Sequence, residues 1–132
     1  MIAGNERMDA DAFADAVART VEKRTLLLKL LSMNMYDMEE HSRMERLTEF
    51  KAAYGASMDT METGLEKFFP ASGVEQRNDF IWHFFPFMFG IYPYTFVTDK
   101  QKEAMEKAGT RILHRSLYEL TRGMIAELLK SI

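Results

Sequence analysis

The chain has 132 residues, no cysteine, and 17 basic against 20 acidic residues, for a net charge of −3. That length suits one domain able to bury about two-thirds of its unfolded surface without covalent staples. The lack of cysteine excludes a disulfide framework and thiol chemistry, and the evenly mixed charge argues against a nucleic-acid surface, because phosphate binding needs clustered Lys and Arg.

The polar opening, Met1 to Ala10, lacks the apolar core of a signal peptide. Together with the missing cysteines this leads us to expect a cytoplasmic protein. Residues 1–8 read as a disordered or lead-in segment and residues 9–132 as one helical domain. Asp9 is placed to cap a first helix reaching about Arg24, with Ala10, Phe13, Val17 and Val21 at helical spacing on its apolar stripe and Asp11, Asp15, Arg19 and Glu22 opposite. Thr25 caps a second helix, Leu26 to about His41, whose leucine-rich start is apolar nearly all round, as in a helix that runs through the middle of a bundle. Asp37 and His41 stand four residues apart at its acidic end, a pairing too small to specify a metal site.

Ser42 and Glu45 form a capping box. The helix after it carries Met44, Leu47, Phe50, Tyr54, Met58, Met61, Leu65 and Phe68, spaced 3, 3, 4, 4, 3, 4 and 3, an unbroken stripe. Ala52, Ala53, Gly55 and Ala56 leave room beside it for a close neighbour, and Pro70 stops it. A second box, Ser72 with Glu75, opens the next helix. From Asp79 to Asp99 no intervening residue is charged, and the run holds the only tryptophan and six of the ten phenylalanines. A helix this apolar is expected to be buried on every side, kinked at Pro86 and ended by Gly90 and Pro93. Its prolines, glycine and His83 make it a poor membrane span, although its length reaches the threshold of about 18 residues. A kinked aromatic helix packs imperfectly against straight neighbours and leaves a cavity. Thr98 and Gln101 box a short helix, Asp99 to Ala108, broken by Gly109. The last helix is expected from about Thr110 to Ser131, with Leu113, Leu117, Leu120, Met124 and Leu128 on one stripe, widened by Ile112, Ile125, Leu129 and Ile132. Ser116 and Gly123 lie seven residues apart on a side where another helix can approach. No strand pattern competes, so the fold class is all-α, about six helices in a bundle.

Four segments in order, Arg24 to Ser32, Met38-Glu39-Glu40-His41, Glu49-Phe50-Lys51-Ala52-Ala53 and Gly90-Ile91-Tyr92-Pro93, resemble the C-terminal regulatory domain of TetR-family transcriptional regulators. The resemblance covers roughly Phe13 to the C terminus. Thr25 stands where proline is common in that subgroup, Tyr92 where tryptophan is. Nothing resembles the helix-turn-helix headpiece, so the sensor half alone is expected. The resemblance implies a homodimer joined as a four-helix bundle through the aromatic helix and the last helix. It also implies a small, largely apolar ligand among the central helices, and DNA contact only through a headpiece.

On this reading Trp82, Phe85, Phe89 and Tyr92 face Tyr54, Met58 and Met61 across the ligand site, with His83 or Tyr54 as its polar anchor. Ser116, Leu120, Gly123 and Met124 meet the partner subunit. No metal or other cofactor is expected. Eleven methionines suit an adaptable binding surface, and equally a ligand-free core. A helical enzyme would have to draw on His41, His83 and His114 with Asp37, Glu39 and Glu40, which share no spacing that links a nucleophile to a base. A stand-alone protein-interaction module without a small-molecule ligand is the alternative.

Overall fold

A computed structural model describes residues 8–41, 43–111 and 115–132, with the backbone alone at 33–38. Among them seven helices follow one another: α1 (Ala10–Glu22), α2 (Thr25–His41), α3 (Met44–Phe68), α4 (Val74–Gly90), α5 (Tyr92–Thr95), α6 (Asp99–Ala108) and α7 (Leu117–Leu129). Six are long helices, as the periodicity predicts; α5 is a four-residue turn of helix started by Pro93. There is no strand among the described residues.

The ends are set by local chemistry. The Asp9 carboxylate accepts from the Ala12 N–H at 2.8 Å. Thr98 Oγ1 accepts from Gln101 N–H at 3.2 Å while Gln101 Oε1 accepts from Thr98 N–H at 3.1 Å, closing the predicted box. Gly109 ends α6 at φ 68°, a left-handed conformation that disfavours any side chain with a Cβ. The Ser42–Glu45 box falls partly on Ser42, outside the described residues. Thr25 is the first residue of α2 rather than its cap; only Lys23 and Arg24 separate α2 from α1.

Two expected boundaries are corrected. The start of α4 is capped one residue later than Ser72: Gly73 N–H donates to Gln76 Oε1 at 2.7 Å, and the other end of the same amide donates to the Ser131 carbonyl at 2.9 Å. Ser72 is buried instead, where its hydroxyl and carbonyl both receive Arg77 Nη1, at 3.3 and 2.6 Å. The last helix begins at Leu117, not near Thr110. Ser116 is its cap, accepting from Glu119 N–H at 3.1 Å and donating to the Glu119 carboxylate at 3.3 Å; Ile112 and Leu113 of the expected stripe lie outside the described residues.

The core gathers around Phe13 of α1, which is wholly buried. Its ring meets Phe69 at 5.4 Å, Phe68 at 6.2 Å and Phe80 at 6.4 Å, all edge-on, the arrangement ring quadrupoles favour. The α1 helix packs most extensively along α7, against Leu117, Ile125 and Leu129 of the same core. At the rim of that pair Tyr118 donates to Asp15, which also accepts from Arg19 Nε at 3.0 Å. Hydrogen bonding from Tyr118, then from Arg19, holds the Asp15 carboxyl below its ordinary range.

The expectation that α4 is buried on every side is also corrected. Phe80, Ile81, Phe84 and Met88 are buried, as is Ile91 just beyond, but Trp82 is 61% exposed and His83 and Pro86 face outward. One helix face suffices for the core, and the described residues leave much of the other uncovered. At Gly55 of α3 the expected close neighbour is likewise not found: among the described residues an added Cβ would touch nothing within 4 Å.

Phe13→Ala is expected to cost about 3–5 kcal/mol, whereas Leu26→Ala, at a site 69% exposed, should stay within about 0.5 kcal/mol; urea denaturation of the two variants measures the contrast. The charge of Asp15 stabilises above the ordinary aspartate range, and that contribution disappears as pH falls through its lowered folded value. The stability gap between wild type and Asp15→Asn should therefore narrow between neutral pH and about pH 3. A gap that widens on acidification would contradict the Tyr118–Asp15–Arg19 arrangement.

Candidate functional site

The antiparallel pair α3 and α4 is tied together at one end by the Phe13 cluster and opens toward the other. There α3 offers Phe50, Ala53, Tyr54 and Ser57, one face at spacing i, i+3, i+4 and i+7. Opposite, α4 presents Phe84, Phe85, Met88 and Phe89. The start of α2 closes a third side with Leu27, Leu28 and Leu31, and buried Val21 and exposed Arg24 complete the lining. Between them lies a cavity of about 410 Å³ with walls almost entirely of carbon, within the size range of small-molecule sites. The space exists because α3 turns alanine and serine toward large rings: Ala53 and Ser57 are too short to reach across.

The rings are ordered against one another. Tyr54 meets Phe85 at 5.5 Å edge-on and Phe89 at 5.3 Å tilted, and Phe50 meets Phe89 at 6.4 Å. Burial pushes the Tyr54 phenol above its ordinary pKa, so it stays a neutral donor at physiological pH. No hydrogen-bond partner holds its hydroxyl among the described residues, whereas Ser57 Oγ already donates to the Ala53 carbonyl at 3.1 Å.

Of the residues the sequence proposed for the pocket, the structure brings Tyr54, Phe85 and Phe89 together in the cavity wall. Met61 is buried in the core and Met58 packs at its edge; the α3 stripe rotates them away from the cavity. Trp82 and His83 are on the outward face of α4, His83 Nδ1 hydrogen-bonded to the Asp79 carbonyl. Tyr92 stacks on Phe96 at 4.7 Å, outside the cavity wall. Sequence reasoning missed Arg24, the α2 leucines and the Ala53–Ser57 face. The signal for the last was present: the strict 50, 53, 54, 57 spacing pairs two aromatic rings with two small side chains.

On the far side of α4, Pro86, Phe87, Gly90, Ile91 and Tyr94 border a more open hollow of about 360 Å³ shared with Leu120 of α7. Of the residues named for the partner surface, Ser116 is the α7 cap, Leu120 and Met124 are half-buried, and Gly123 is exposed with open space beside it. The candidate acid–base groups stay apart: Glu39, Glu40 and His41 end α2, His83 is on α4, and His114 and the Asp37 side chain are outside the described residues. No cluster of three metal-binding side chains occurs among the described residues, and no helix among them is long and apolar enough to cross a membrane.

The protein is thus an all-helical domain with an apolar cavity between its central helices. Residues 2–130 match the tetracyclin repressor-like C-terminal domain, and the chain belongs to that family. Domains of this family are regulatory, and they typically dimerise and bind ligands. The chain matches no curated protein and no solved structure.

The cavity predicts an asymmetry between two insertions of the same ring. Ala53→Phe, which points into open space, should change stability by less than about 1 kcal/mol, while Leu65→Phe, at a fully buried position, should lose about 1–3 kcal/mol through overpacking. Chemical denaturation measures both, and equal losses would show that the space beside Ala53 is already filled.

Proposed function

We propose that this chain is a sensor of small, largely apolar ligands that works as a homodimer, with α4 as the element common to both tasks. The observation that carries this reading is the division of α4 into two faces. Phe84, Phe85, Met88 and Phe89 wall the cavity, while Trp82, Pro86 and Gly90 look outward. An apolar surface left uncovered in this way is characteristic of an association site.

The partner surface in this reading consists of α4 with the outward side of α7: Ser116, Leu120, Gly123 and Met124. The lack of a side chain at Gly123 favours close approach of an identical helix across a two-fold axis. A ligand between α3 and α4 then bears on the same helix that meets the partner subunit, and occupancy is coupled to dimer geometry through one element. Contact with DNA belongs to a headpiece joined to such a domain, not to the helices described above. Catalysis forms no part of this reading.

Mass measurement in solution should give a dimer at micromolar concentration. Gly123→Arg places like charges close together across the two-fold and should raise the dimer dissociation constant by at least about a hundredfold without changing the helical circular dichroism. A monomeric wild type, or a variant as dimeric as wild type, would refute this interface. Screening apolar compounds by thermal shift should find ligands that stabilise wild type and fail to stabilise Ala53→Phe.

A further inference from the structure

Among the described residues the cavity wall contains one charged residue, Arg24, and it stands in the two-residue link between α1 and α2. The wall is carbon almost throughout although Arg24 contributes to it, so its aliphatic stem lines the entrance and the guanidinium faces water at the mouth. The guanidinium has no hydrogen-bond or ion-pair partner among the described residues. Its acidic neighbour along the chain, Glu22, adds to the field on Arg19, and no acidic side chain among the described residues lines the cavity. Inside, the unpartnered Tyr54 hydroxyl is a second donor. Among the described residues the site therefore has a greasy interior, one cation and no anion.

That asymmetry selects among head groups. A cationic amphiphile would meet Arg24 as a like charge, and a neutral one would leave it solvated with no gain. A group carrying a single negative charge matches a single guanidinium, which accepts a carboxylate through two parallel N–H···O bonds. A phosphomonoester, with nearly two charges at neutral pH, calls for more than one cation. We propose that the ligand is an anionic amphiphile, a carboxylate on an apolar tail, its head held at Arg24 and its tail among the leucines of α2 and the rings of α4. This rests on the ligand-sensing reading above and names the class of ligand.

Titration calorimetry with decanoate, decanol and decyltrimethylammonium, each below its micelle concentration, tests it. Wild type should bind decanoate about three- to tenfold more tightly than decanol, the range expected of a charge-assisted pair at a wet rim, and the ammonium compound most weakly. The preference should fall with added salt and vanish in Arg24→Gln, and Ala53→Phe should weaken binding of all three. Equal affinity for decanoate and decanol in wild type, or a preference that survives in Arg24→Gln, overturns the head-group assignment while leaving the cavity reading intact. Binding that is absent in wild type, or indifferent to Ala53→Phe, overturns both.

Discussion

The knot of rings around Phe13 is the constraint from which the rest of the architecture follows. It fixes the end of α3 to the beginning of α4, and both to α1, in one edge-on cluster. With that end closed, the separation of α3 and α4 further along is decided by the side chains between them. Toward the other end these are rings from both helices, Phe50 and Tyr54 of α3 against Phe85 and Phe89 of α4, with the short Ala53 and Ser57 beside them. The helices are held apart by the large residues and nothing fills the gap beside the small ones. A hollow at that place is thus a product of packing, and it persists because a close-packed core cannot collapse into it without giving up the contacts of the knot.

Much of this is legible in the chain. Asp9, the Thr98–Gln101 pair and Gly109 mark helix ends by side-chain and backbone chemistry that acts within a few residues, and such signals need no tertiary context. The true start of α7 is legible as well. Ser116 and Glu119 carry the same capping signature used elsewhere, but a continuous apolar stripe suggests a helix that begins upstream. Here a local hydrogen-bonding preference outweighs periodicity. The cap of α4 misleads in the opposite sense: Ser72 has the right spacing to Glu75, yet its oxygen atoms receive Nη1 of the buried Arg77, a long side chain whose destination no pattern reveals.

The site is legible in its ingredients and not in its orientation. That aromatic residues of α4 face Tyr54 follows from their number and from the α3 stripe. Which of them do so depends on the rotation of α4 about its own axis, and a segment apolar on all sides has no polar face to fix that rotation. Hence Phe85 and Phe89 stand in the cavity wall while Trp82, one helical turn before Pro86, points the other way. Arg24 is invisible for a different reason: a charged residue in a link between helices reads as solvated until three helices are seen to converge on it.

The brevity of that link has its own consequence. The turn at Lys23 and Arg24 is closed by backbone hydrogen bonds, Arg24 N–H to the Val21 carbonyl at 2.9 Å and Leu28 N–H to the Arg24 carbonyl at 3.1 Å, so α2 starts directly where α1 ends. The second helix forms a wall of the hollow, and the first lies along α7 and is latched to it by Tyr118 and Asp15. The wall of the hollow and the seam between α1 and α7 therefore meet at a single turn of the chain.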